Sequence, residues 1–221
     1  MGNSFLPSLT VENYVKAIYQ ICTAGGEPAA TGQIATTLGV SPGTVTSMLK
    51  TLSQGQLVTY TPYEGVQLTA AGCGLALRVM RRHRLIELFL AKTLQMSWDE
   101  VHEDAEHMEH AVSDLLVDRI DEFLGHPESD PHGDPIPKAD GSIDKPNGTV
   151  LAECPVGRRF RLIRVLDQSG GFLRYLGTNG LALGAEGEVL AKQTEAGVVT
   201  VLVGKTETTL GREAAKKLLV D

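Results

Sequence analysis

The chain has 221 residues, 42% of them hydrophobic and 21% charged, with a formal net charge of −7. That length holds one large domain or two to three small ones. The lack of any run of about 18 apolar residues excludes a membrane-spanning helix. Three cysteines, at 22, 73 and 154, are odd in number and form no CxxC pair. They argue against a disulfide framework or a zinc finger and fit a reducing cytoplasm. The start, MGNSFLPSLTVENY, has no basic stretch followed by an apolar one, so no signal peptide is expected, although MGNSFL passes the loose pattern for N-myristoylation.

Residues 10–22 (TVENYVKAIYQIC) set Val11, Tyr14, Val15, Ile18 and Tyr19 on one helical stripe, with Thr10 expected as its N-cap. After an AGGEPA loop, TGQIATTLG reads as a short helix closed by Gly39. Ser41 opens a second helix, SPGTVTSMLKTLSQGQL, with Pro42 at its first position. Residues 58–60 and 66–68 are β-type runs around a turn at Tyr63-Glu64-Gly65. From about residue 70 to 94 a long helix carries Leu75, Val79, Leu85, Ile86, Leu88, Phe89 and Leu90, too apolar to stand alone and so expected at an interface. Ser97 is expected to cap a single following helix, SWDEVHEDAEHMEHAVSDLLVDRIDEFL, ending near Gly125. HPESDPHGDPIPKADGSIDKPNG, rich in Pro, Gly and Asp, is a loop passing into a linker. Beyond about Thr149, FRLIRVL, EGEVLAK and VVTVLVG read as strands, with one short helix around residues 172–177, giving a small β-barrel.

Within residues 31–52, a short helix, a glycine turn and a helix opened by Ser-Pro-Gly-Thr have the shape of a helix-turn-helix, the alternative being an ordinary helical hairpin. The second helix offers Ser41, Pro42, Gly43, Thr44 and Ser47 at its N-terminal end, where such helices touch base edges. Lys50 adds a candidate phosphate contact, and the hairpin that follows is a candidate wing. The segment is nearly neutral, with Lys16 and Lys50 against Glu12, Glu27 and Glu64, so its electrostatic pull on DNA is weak. The basic cluster Arg78, Arg81, Arg82 and Arg84 lies just outside it.

All six histidines, His83, His102, His107, His110, His126 and His132, fall within one stretch of about fifty residues. Between Asp99 and Asp144 there are fifteen acidic residues and only two bases, Arg119 and Lys138. Clustered imidazoles and carboxylates suit a divalent cation with mixed N and O ligands, whereas a charge run alone is usually a solvated face. Spacing favours the cation: His102, Glu106, Glu109 and His110 share one helical arc, and His83 and Glu87 form an i, i+4 pair on the preceding helix. His107 points elsewhere and is expected to be exposed. Facing helices carrying His and Glu are how bundles build metal sites. A zinc hydrolase would need His at 106 for HExxH or at 103 for HxxEH, and both positions are Glu.

The helix-turn-helix, RRHRLIELFL, VHEDAEHMEHAVSD and HPESDPHGDPIP, in this order over about residues 9–137, closely resemble the diphtheria toxin repressor family of iron- and manganese-dependent transcriptional regulators, and the tail resembles that family's SH3-like (FeoA-type) domain. The resemblance implies a fold that is mainly α with a small β domain: a winged helix-turn-helix DNA-binding domain over 1–72, a helical metal-binding and dimerisation domain with its linker over 73–145, and an SH3-like β-barrel over 149–221. It implies a primary metal site of Glu106, Glu109 and His110, with His83 nearby and Asn13 from the first helix. It implies a second site of Glu87, Asp130, His132 and Asp167, with His102 adjoining, in which Asp167 would tether the C-terminal barrel. Asn13 stands where manganese-type members usually carry Asp, Lys16 replaces an acid of two-metal members, and Asp130 stands where some relatives have Cys. Ser41, Gly43 and Ser47 fall on the family's base-reading positions, and Thr31, Thr44, Thr46 and Thr51 on or near its phosphate contacts.

These readings converge on a cytoplasmic, homodimeric, metal-activated repressor that binds palindromic double-stranded operators of metal-homeostasis genes, with no membrane partner and no small-molecule substrate. Glu rather than Cys at 106 gives hard ligands suited to Mn²⁺ or Fe²⁺, and in the family this residue goes with manganese. Co²⁺ or Zn²⁺ is expected to bind in a test tube. The alternatives are an iron-responsive repressor, a metal-dependent hydrolase, and a protein-interaction module with a structural metal.

Overall fold

The structure is a computed structural model in which residues 8–61, 64–144 and 148–221 are described. The MGNSFL start and the turn residue Tyr63 lie outside them. The chain divides into two compact units, residues 1–82 with 137–142, and residues 83–136 with 143–221.

In the first unit, α1 (Leu9–Gly25) is capped by Ser8, whose side chain accepts from the Val11 amide, and not by Thr10 as the sequence suggested. Ser8 has the extended backbone a cap needs, while Thr10 is already inside the first turn. Next, α2 (Thr31–Leu38) ends at Gly39, which takes the left-handed conformation that closes a helix. The following helix, α3 (Pro42–Gln54), has Ser41 as N-cap and Pro42 in its first turn, as expected. β1 (Val58–Thr61) and β2 (Gly65–Leu68) pair antiparallel, with Val58 opposite Leu68. The core draws on every element: Val15 and Ile18 from α1, Ile34 from α2, Val45, Leu49 and Leu52 from α3, and Val58 and Val66 from the hairpin. It also takes Leu75 and Val79 from α4 (Ala70–Leu94), whose second half belongs to the second unit.

In the second unit, α4 buries opposite faces in two clusters. Ile86 and Leu90 meet Val101 and Ala105 of α5 (Val101–Met108), while Leu85 and Leu88 meet Val117 and Ile120 of α6 (Asp114–Phe123). The sequence reading had α5 and α6 as one helix from Ser97. Instead, the Ser97 amide and hydroxyl both bond Glu100 in a preceding turn. Ser113 then takes an extended conformation and caps Leu116, starting a new helix. A serine followed by an aspartate is an N-cap signal inside the run, and it overrides the continuous periodicity.

The C-terminal part is β-rich, as expected. Its six-stranded antiparallel sheet has the order β3-β8-β4-β5-β6-β7: β3 (Thr149–Val150), β4 (Arg159–Val165), β5 (Glu186–Gln193), β6 (Val198–Val203), β7 (Thr206–Gly211) and β8 (Leu218–Val220). Helix α7 (Gly170–Thr178) adds Leu173 and Leu176 to a core with Phe160, Leu162, Val165, Val189, Val201, Leu210 and Leu218. The register of β4 against β8 shifts between Leu162 and Arg164. Such a bulge bends the strand and re-aims the next side chain, here Arg164.

Candidate metal centres and DNA-reading helix

Helix α3 and its N-cap present Ser41, Pro42, Gly43, Thr44, Ser47, Lys50 and Thr51 as exposed residues, with Thr46 half-buried, as is Thr31 at the start of α2. The Ser41 hydroxyl accepts from the Thr44 amide at 3.1 Å and shares a hydrogen bond with the Thr44 hydroxyl at 2.8 Å. Thr46 and Ser47 donate their hydroxyls to the carbonyls of Pro42 and Gly43. The backbone therefore holds these hydroxyls in place, leaving their lone pairs available. The basic cluster after the hairpin is less available than its sequence implied. Arg81 is buried and donates to the Pro137 carbonyl, Arg82 pairs with Glu12, and Arg84 is buried on the carbonyl of Pro135. Only Arg78 of the four is exposed.

His83 on α4 is the centre of the first group. It is buried, with Nδ1 at 2.6 Å from Glu109 Oε2 and 3.7 Å from Glu106 Oε1, and Nε2 at 2.9 Å from Glu87 Oε1. His110 Nε2 stands 3.2 Å from Glu109 Oε1, and His102 Nε2 stands 4.0 Å from Glu106 Oε1. The helix ends at Met108, so Glu109 is its C-cap and His110 lies in the turn beyond. Of the four residues expected on one arc, His102 pairs with Glu106 and His110 with Glu109, and His83 touches both glutamates. One ligand atom each from His83, His102 and Glu106 lie close enough together to share one cation. His107 is exposed, as its phase predicted, with Nδ1 against the Glu103 carbonyl.

Glu87, Asp130 and His132 form the second group, and all three are buried. Glu87 Oε1 meets both His83 and His102. Burial works to raise the Glu87 carboxyl, but hydrogen bonds from His102 and His83 overcome it and hold the group well below the usual carboxylate range. Asp130 goes the other way: burial first, then the charges of Asp134 and Glu87, push it up to about 8. Glu87 Oε2, Asp130 Oδ2 and His132 Nδ1 are buried with no hydrogen-bond partner. Three neighbouring polar atoms without a hydrogen bond, one of them with only Arg84 Nε at 3.7 Å, would be costly in a finished core, whereas an O, O, N donor set suits a divalent cation. The residues therefore fit a metal ion. His132 Nε2 lies 2.7 Å from the Trp98 carbonyl, which fixes the ring by its far nitrogen as metal-bound histidines are fixed.

Asp167 is not drawn into this group. Its carboxylate takes Lys217 at 2.6 Å and the Ser169 amide at 2.9 Å. Burial raises its pKa, but these bonds prevail and hold it low. The carboxylate that bonds the C-terminal strands is Asp134, which sequence reasoning missed. It accepts from Arg84, from Arg164 of β4 and from Gln168. The signals that could have revealed it are a second acid directly after Gly133 and Arg164, the second of two arginines inside the apolar run FRLIRVL. Asn13 belongs to the first unit, where its Oδ1 is buried with no hydrogen-bond partner.

Three known domain families match the chain. Residues 8–66 match the iron-dependent repressor N-terminal DNA-binding domain, 69–138 the iron-dependent repressor metal-binding and dimerisation domain, and 149–221 the FeoA domain. A solved manganese-dependent transcriptional repressor in complex with manganese is 38% identical, with a TM-score of 0.87 over 95% of this chain and 98% of its own. ScaR with bound Zn²⁺ is 33% identical, with a TM-score of 0.80 over 97% of this chain and 99% of its own. The diphtheria toxin repressor of Corynebacterium efficiens is 30% identical over 194 residues, 83% of this chain and 84% of its own length.

Proposed function

Because the chain belongs to the diphtheria toxin repressor family of metal-dependent transcriptional repressors, which are not enzymes, we propose that it is a manganese-responsive repressor of metal-homeostasis genes, acting in the cytoplasm. Its DNA-binding and dimerisation domains make it an operator-binding dimer. The observation that carries the reading is Glu106 beside Glu109, His83 and His110, a sulfur-free donor set that suits Mn²⁺ or Fe²⁺, and manganese is preferred for its likeness to the manganese-dependent repressor. The primary cation would be held by Glu106, Glu109 and His110 with His83, and a second by Glu87, Asp130 and His132, with His102 between the groups. Asn13, with its orphaned oxygen, is the candidate ligand of the first unit. When bound, the ion supplies positive charge that the carboxylates otherwise lack. If the conformation that binds metal also binds DNA, each ligand strengthens the other.

An iron-responsive repressor is the second reading, favoured by the iron-dependent families that the chain matches. Fluorescence anisotropy on DNA upstream of a metal-transporter gene, titrated with Mn²⁺, Fe²⁺ and Zn²⁺, separates the two. Mn²⁺ is expected to drive binding that the metal-free dimer does not show. Activation by Fe²⁺ without activation by Mn²⁺ would overturn the manganese reading. Zn²⁺ is expected to bind as well, because affinity order favours later metals.

Direct contact of α3 with DNA has its own test. Lys50→Ala should weaken binding about equally on all sequences and reduce the salt slope by about one. An unchanged slope would remove Lys50 from the phosphate contacts.

A further inference from the structure

The loop that supplies Asp130 and His132 is clamped from two sides, and Asp134 belongs to both clamps. On the inner side, Asp130 Oδ1 accepts from the His132 amide at 2.8 Å and from the Asp134 amide at 2.9 Å. Those two bonds fix the carboxylate and leave Oδ2 without a hydrogen bond, 3.7 Å from Arg84 Nε, beside Glu87 and His132. On the outer side, the Asp134 carboxylate accepts from Arg164, from Gln168 at 2.9 Å and from Arg84 at 3.3 Å. Arg164 and Gln168 come from β4 and the turn after it. The same strand holds the loop backbone, since the Val165 amide donates to the His132 carbonyl at 2.9 Å.

We propose that Asp134 is the positioning residue through which the C-terminal β domain sets the cation affinity of the Glu87, Asp130 and His132 group. The proposal rests on the reading of that group as a cation site. Asp134 transmits position: its side chain is held by the β domain, and its amide orients the Asp130 carboxylate. Outer partners of this kind fix ligands in place, and their loss lowers affinity by about 10- to 100-fold.

Charge and position make opposite predictions here. Removing the Arg164 cation leaves more negative charge near the group, which by itself tightens cation binding. Loss of position loosens it, so weakened binding is the signature of the positioning role. The single tryptophan reports the event locally, because the Trp98 ring stacks on His132 with centroids 6.2 Å apart.

The experiment titrates Mn²⁺ into the full-length dimer while following Trp98 fluorescence, with calorimetry counting every class of site and thermal melts verifying the fold. Arg164→Gln is expected to shift the Trp98-sensitive phase to about tenfold higher Mn²⁺, and Gln168→Ala to shift it a few-fold. The other class of site should stay where it is. Asp130→Ala should abolish the Trp98-sensitive phase. If Asp130→Ala abolishes it while Arg164→Gln and Gln168→Ala leave it in place or move it to lower Mn²⁺, the cation site stands and the role of Asp134 is refuted. A phase that survives Asp130→Ala overturns the cation reading of the group, and the proposal with it. Should Arg164→Gln fail to fold, Gln168→Ala decides alone.

Discussion

Glu106→Ala is expected to reduce metal-stimulated operator binding by on the order of 100-fold or more, with the dimer still folded. The carboxylate lies 3.7 Å from His83 Nδ1 and 4.0 Å from His102 Nε2, so its removal strips an oxygen donor from the primary group. The Glu106 side chain is 38% exposed, and the face of α5 that packs on α4 is Val101 and Ala105, which the substitution does not touch. Metal-free stability should therefore stay within about 1 kcal/mol of the parent protein. The melting temperature should lose its dependence on Mn²⁺ in parallel, because a ligand stabilises only what it binds. His110→Ala is expected to act in the same way. Anisotropy and thermal melts read both effects, and a variant that keeps its metal stimulation would dismiss Glu106 as a ligand.

Gly133→Ala should destabilise the second unit by about 3 kcal/mol or more, lowering the melting temperature by roughly 10 °C. Gly133 sits at φ +84°, a backbone conformation that costs any other residue. A Cβ there would collide with the Ile163 carbonyl oxygen and lie 2.8 Å from Arg164 Cα, and backbone atoms cannot swing aside. Gly141 is the control: it has the same φ of +84°, but its Cβ would meet nothing within 4 Å. Gly141→Ala should cost only the conformational part, about 1 kcal/mol. Equal melting shifts in the two variants would show that the approach to β4 carries no weight.

What was legible in the sequence was local. The Ser41-Pro42 start of α3 and the bounds of α4 follow from capping and from a long apolar stripe, both properties of neighbouring residues. His83 with Glu87, and His102 with Glu106, were legible because each pair is spaced i, i+4 on a helix. The division between α5 and α6 was not, since the hydrophobic period runs through it and one serine's dihedral decides. Strand β7, TETTLG, and the three-residue β8 carry too little apolar alternation to stand out. Asp134 escaped for a different reason: Arg84 and Arg164 lie 50 and 30 residues away, a pairing that only the fold creates. Asp167 is a position carried over by resemblance alone, and in this structure Lys217 takes up its charge.

The fate of the arginines around residue 81 bears on how the protein searches a chromosome. With Arg81 and Arg84 buried and Arg82 paired, Arg78 is the one exposed arginine of this cluster left to hold arbitrary DNA. Non-specific attachment is almost wholly electrostatic, so the roughly 10⁶ or more competing sites of a genome retain few copies of the repressor. A weaker non-specific hold leaves more of the loaded dimers to the operator. The cost is speed: with less long-range steering, encounter falls toward the unsteered range of about 10⁵–10⁶ M⁻¹s⁻¹.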